Sequence, residues 1–214
     1  DPYANVDGTR NPHYLTLRDV APVIGWFYNP KLGQGWYENR HNNTEVYSVR
    51  QMANSAIPAA PKFGGLAIAK VPGMGEGNNV FFGEWAPRKG NPPQNSTDLN
   101  MADGKRTVWY VGDNPTRNMP KLVNAKYNVL GVNKHTPGRN DFYTGTLTAN
   151  YGTGSGSLTG SISRPGDSVN FAGTNIRSNG TFDNGKTNEH ITGRFYGSGA
   201  AAMAGYTTRG TAGV

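Results

Sequence analysis

Few side chains in this sequence are equipped for chemistry. Four histidines, His13, His41, His135 and His190, stand beside five methionines and scattered carboxylates, and cysteine is absent. That absence removes disulfides, thiol nucleophiles, thiolate-bound zinc and iron–sulfur clusters together. Imidazole remains, and it serves either as a proton shuttle or as a metal ligand. His41 follows Arg40 and lies near the aromatic pair Trp36-Tyr37, on what reads as the rim of a hairpin. His135 lies between Lys134 and Arg139 in a loop that contains Pro137-Gly138. His190 enters a strand after Asn188-Glu189 and reads as a solvated side chain, while His13 precedes Tyr14 and an apolar run.

Catalytic signatures are missing. Gly73-Met74-Gly75-Glu76-Gly77 and the run 152–156 are glycine-rich, but no helix follows either, as a phosphate cradle requires. No nucleophile elbow, metalloprotease helix or kinase set occurs. Glu84, Asp98 and Asp103 could be paired only as loop carboxylates at undefined distance, which is no basis for acid–base work. The expectation is a protein that is not an enzyme, with no catalytic residues.

The elements that would position these histidines are strands. Gly 30 and Pro 14 together make a fifth of the 214 residues, too many for a helical bundle, and no helical apolar period runs uninterrupted. From Lys126 on, short alternating runs separated by turn residues give the spacing of an antiparallel barrel. Tyr127–Val132 opens it; Tyr143, Gly145, Leu147, Ala149 and Tyr151 share one face of the next strand; Leu158, Ile162, Val169 and Phe171 continue it, then Ile176–Phe182, Ile191–Tyr196 and Tyr206–Thr208. Glycines within these strands favour closure into a barrel. Gly197–Gly205, with its alanines and Met203, reads as a helix-like plug across one end. In the front half, Val23–Tyr28, Trp36-Tyr37, Glu45–Val49, Leu66–Ala69, Val80–Phe82 and Val108–Val111 read as strands and Arg50–Ala56 as a short helix. All four tryptophans fall here. The fold expected is mainly β: a small N-terminal β-rich (α+β) ligand-binding domain over 1–120, and a C-terminal eight-stranded antiparallel barrel over 121–214.

Net charge is +7, but lysines and arginines are scattered singly apart from Arg88-Lys89 and Lys105-Arg106. That argues against nucleic acid and suits an anionic small ligand or an acidic surface. No apolar run approaches the ~20 residues of a membrane helix. The opening Asp1-Pro2-Tyr3 reads as that of a mature exported chain or of a trimmed one, and the Asn, Gly, Ser and Thr abundance as that of a surface-exposed or secreted bacterial β-protein.

The run Lys126–Val132, then Phe142–Tyr151 with Leu158–Ile162, then Ile191-Thr192-Gly193-Arg194-Phe195-Tyr196-Gly197 and Ala200–Gly205, resembles the TbpB-like barrel domain of proteins exported through Slam-type translocons. With Val108–Asp113 just before the barrel, the chain is similar to the hemophilin group of secreted haemophores. The chain reads Ala212-Gly213-Val214 where such barrels carry a Phe-Gly closing segment, which implies an incomplete last strand. The resemblance implies a haem (heme b) cofactor captured in the front domain, an outer-membrane haem receptor as partner, the Slam translocon during export, and host haemoglobin as a source. Haem needs a flat apolar slot, an axial ligand and partners for its propionates. His41 and His135, on facing loops, are the candidate iron ligands, with His13 and Met74 behind them. Trp26, Phe27, Tyr28, Trp36, Tyr37, Phe81 and Phe82 are candidate walls, and Arg40, Arg50 and Lys31 candidate propionate partners. The other reading is an exported module that binds a host protein without a cofactor.

Overall fold

The computed structural model describes residues 33–51, 63–75, 78–87, 100–102, 106–209 and 212–213, with only the backbone of 33–38, 49–51, 63–65, 87, 209 and 212–213. Five strands, β1 (Gly33–His41), β2 (Thr44–Gln51), β3 (Phe63–Lys70), β4 (Val80–Pro87) and β5 (Thr107–Gly112), form an antiparallel sheet in sequence order. The rest are β6 (Leu122–Gly131), β7 (Tyr143–Gly152), β8 (Ser155–Arg164), β9 (Asp167–Asn170), β10 (Thr174–Arg177), β11 (Thr181–Asp183), β12 (His190–Tyr196), β13 (Ala202–Arg209) and β14 (Ala212–Gly213). They run β14-β13-β12-β11-β10-β8-β7-β6, with β9 alongside β8, and curl into a nearly closed antiparallel barrel.

The barrel core follows from alternation. Tyr143, Leu147, Ala149 and Tyr151 of β7 are buried with Leu158, Ile162, Val169, Phe171, Ile176, Phe182, Ile191 and Phe195. Curvature this tight needs backbones to approach side chains closely. At Gly193 a Cβ would stand 2.4 Å from the Phe182 ring, so any larger residue would push that ring out of the core.

No helix occurs among the described residues, so the α+β character expected of the front portion is not found there. Arg50 and Gln51 end strand β2 rather than opening a helix, and 52–56 lie outside the described residues. Gly197–Gly205 is not a plug either. A turn with Ala200 at φ 54° leads directly into β13. Alanine is the best helix former, but propensity is a weak determinant, and here tertiary packing overrides it. Ala202 and Ala204 are small enough to lie under Val80 and Tyr196, while Met203 points the other way, against the barrel core.

The sheet lies against the barrel through two apolar contacts. Val46, Ala69 and Phe82 pack on Leu130, Val132 and Phe142; Val80 and Tyr110 pack on Tyr196, Ala202 and Ala204. The connection from β5 to β6 also docks: Pro115 bridges to Tyr196, and the Thr116 hydroxyl donates to Gly197 O at 2.7 Å. Tyr196 fills the junction above Gly112, where a Cβ would come within 2.8 Å of its ring. Burial pushes the Tyr196 hydroxyl up to about 12 from 10.0. A raised folded value means that this stability is complete below about pH 10 and is lost as pH rises towards 12, a swing of roughly 2–3 kcal/mol. The melting temperature is therefore expected to fall between about pH 10 and 12, and less steeply in Tyr196→Phe; equal slopes in calorimetry would contradict this assignment.

Candidate functional site

The histidine of the hairpin and the histidine of the barrel loop both contact the ring of Phe142. His41 ends β1 at the tip of the β1–β2 hairpin, whose turn residues Asn42 and Asn43 have φ 43° and 66°. Its ring lies 4.6 Å from that of Phe142, centroid to centroid. The His135 ring stacks on the same Phe142 ring at 4.4 Å. Around Phe142 lie Val46, Ala69, Phe82, Leu130 and Val132, which make this junction apolar.

A β-bulge puts His41 there. The β1–β2 register slips between Tyr37 and Asn39, so that Tyr37 opposes Tyr47 but Asn39 opposes Val46. A one-residue slip exchanges the faces of all that follows. His41, opposite Thr44, thus lies on the barrel side with Val46, and Arg40, opposite Glu45, on the outer side.

His135 is completely buried, and charges hold its loop. Its Nδ1 contacts Asp141 Oδ1, and Asp141 Oδ2 accepts the Thr136 N–H at 2.8 Å. Glu84, a buried carboxylate of β4, accepts the backbone N–H of Lys134 at 2.7 Å and of His135 at 2.9 Å. Arg106 Nη1 donates to Glu84 Oε1 at 3.0 Å and to His135 O at 2.9 Å. Arg164 donates to Asn133 O at 2.6 Å and to Asp141 O at 3.2 Å, with its guanidinium 4.4 Å over the Tyr143 ring. A carboxylate on one imidazole nitrogen fixes ring orientation and directs the other nitrogen, an arrangement common behind metal-bound histidines and equally able to anchor a structural one.

Other predicted site residues are not brought to this junction. Arg40 is paired with Glu45 at 2.9 Å on the outer face, where the Tyr47 hydroxyl and then Arg40 hold the Glu45 carboxyl below its ordinary range. Phe81 is buried on that same outer face with Lys70 Nζ 5.9 Å from its ring centroid. Trp85 and Trp109 stack there at 5.2 Å. Trp36 and Tyr37 pair through backbone with Ser48 and Tyr47, and their side chains lie outside the described residues. Trp26, Phe27, Tyr28, Lys31 and His13 lie outside them as well. Phe82 does reach the junction. Met74 packs near Val80 and Tyr196 instead, and His190, the half-buried first residue of β12, has its Nδ1 2.7 Å from Lys186 O.

Sequence reading missed Asp141, Phe142 and the true role of Glu84. The available signal was position: Glu84 interrupts the apolar run of β4 two residues after Phe82, hence on the same face.

A cavity of about 280 Å³ lies between β6 and β13 of the barrel and shares Phe82, Leu130 and Val132 with the junction around Phe142, with Val108 and Trp109 of the sheet also in its lining. Tyr127, Val129, Leu147, Phe182, Ile191 and Met203 line its depth, and Asn42–Thr44 one end. Among the described residues no group of three or more histidines, carboxylates or cysteines could hold a metal ion. No protein-family model matches the chain.

Glu84 is the group most sensitive to removal. Glu84→Ala leaves Arg106 buried without a counter-charge and two N–H groups without an acceptor, so a loss of roughly 3–5 kcal/mol is expected. Chemical denaturation measures it, and a loss below about 1 kcal/mol would show that the pair is not coupled to the fold.

Proposed function

We propose that this protein binds haem at the junction of the sheet and the barrel, as a secreted haemophore would. The observation that carries the reading is the convergence of His41 and His135 on one phenylalanine ring, inside an apolar junction. The donor chemistry agrees with it. A bare zinc or similar ion asks for three or four protein ligands. Haem iron brings four nitrogens of its own and asks for one or two axial ligands, which is what a histidine pair can offer. His41 is the partly exposed member and the first that an arriving porphyrin would meet. His135, enclosed behind Phe142 and oriented by Asp141, would follow only once that ring gives way.

The cavity between β6 and β13 is not the haem site in this reading. Neither His41 nor His135 is among the residues that line it. Affinity would come from covering the flat faces at the junction, each apolar Å² contributing roughly 25 cal/mol. Receptor docking and translocon recognition would fall to the barrel, and haem would be handed on to the outer-membrane receptor. In that role the chain carries no catalytic group.

Titration with hemin tests the site. The expected result is a Soret band that shifts and sharpens at one equivalent, blue-shifted or lost in His41→Ala and altered in His135→Ala. Normal circular dichroism of both variants would confirm that they fold. Absence of a Soret change in the wild type would end the haem reading and favour a module that binds a host protein instead.

A further inference from the structure

The second apolar contact between sheet and barrel, the one around Tyr196, carries a cation of its own. Arg194 and Tyr196 project from the outer face of β12, beside Ala204 and Tyr206 of β13, and this face meets Val80 and Tyr110 of the sheet. The Tyr110 and Tyr206 rings stand 6.1 Å apart, centroid to centroid, and Arg194 Cζ lies 6.0 Å from the Tyr196 centroid. Arg194 is within electrostatic reach of Tyr110 as well: burial and then Tyr206 push the Tyr110 hydroxyl up, and Arg194 pulls it back.

The half-buried guanidinium has no carboxylate partner among the described residues. Its Nη2 donates only to neutral carbonyls, Thr116 O at 3.2 Å and Asn179 O at 3.4 Å. Its Nε is closed off from solvent and donates to nothing among those residues. Tyrosine hydroxyls bond at Tyr47, Tyr127 and Tyr143 of the described chain, and not at Tyr110, Tyr196 or Tyr206. A cation drawn partly out of water without a counter-charge is costly, and an anion that reaches it makes the stronger, charge-assisted kind of hydrogen bond.

We propose that this cluster is a binding site for a small carboxylate, with its charge on the Arg194 guanidinium, its oxygens accepting from the hydroxyls of Tyr110 and Tyr206, and the Tyr196 ring as floor. Donors with no acidic side chain among them select an anion. One guanidinium matches one negative charge, and the second charge of a phosphate dianion finds no partner in the cluster. Tyr206, 38% exposed, leaves the approach open. The site uses neither histidine, so it stands or falls separately from the haem reading.

Titration of the full chain with sodium acetate tests it, against sodium chloride at equal ionic strength. NMR follows Arg194 Nε–H and the ring signals of Tyr110 and Tyr206. Saturable shifts at roughly millimolar acetate are expected, and none with chloride. Arg194→Lys keeps the charge but loses the planar fork, and is expected to weaken acetate about tenfold; Tyr110→Phe, which removes one donor, is expected to weaken it severalfold. Shifts that never saturate, or undiminished acetate binding in both variants with wild-type circular dichroism, would overturn the site. Tighter binding of inorganic phosphate as its dianion would overturn the choice of a carboxylate.

Discussion

The buried carboxylate of Glu84 is the constraint on which the arrangement of the two sheets depends. It stands on β4, yet it accepts hydrogen bonds from Lys134 and His135 in the barrel and from Arg106 beside β5. A carboxylate taken out of water must be matched closely or it unfolds its surroundings. The sheet can therefore meet the barrel only where those donors converge. The apolar contacts on either side, around Phe142 and around Tyr196, add area but far less direction. Arg106 bonds His135 O as well, so the histidine peptide is gripped at both its N–H and its C=O.

The consequences reach the candidate site directly. With the 133–141 loop held by Glu84, Arg106, Asp141 and Arg164, His135 has little freedom to turn. His41, at the tip of a two-stranded hairpin end, touches the Phe142 ring, and its neighbour Asn42 is bonded to the barrel. One imidazole is thus rigid and enclosed, and the other peripheral. A flat guest arriving at this junction would be met first by the peripheral one and then judged by how far Phe142 can move.

Much of the barrel could be read in the residues. The period of two in Tyr143–Tyr151 and the burial of Leu158, Ile162, Val169 and Phe171 are one signal in two forms. Ile176 to Phe182 was legible as extended chain, but the turn at Asn179-Gly180 divides it into two short paired strands. The alanines after Gly199 misled, because small residues chosen to fit beneath Tyr196 look the same as helix formers. At the site, the hairpin position of His41 was visible and its facing was not. That facing depends on a bulge between Tyr37 and Asn39 which no glycine or proline announces, and it sends Arg40 and His41 to opposite sides of the sheet. Asp141 and Phe142 were invisible as partners because only the closed fold brings them to the hairpin tip.

The order of the strands has a kinetic meaning. Every ladder in the five-stranded sheet joins neighbours along the chain, and in the barrel only the β8–β10 ladder skips one, over the short β9. Each sheet can therefore zip up hairpin by hairpin, with small loops to close and a modest entropic toll. The Glu84 contacts, some fifty residues apart in sequence, belong to a later event in which two already curled ribbons meet. Burying the Glu84 side chain before its donors are in place would carry the cost of an unmatched buried polar group.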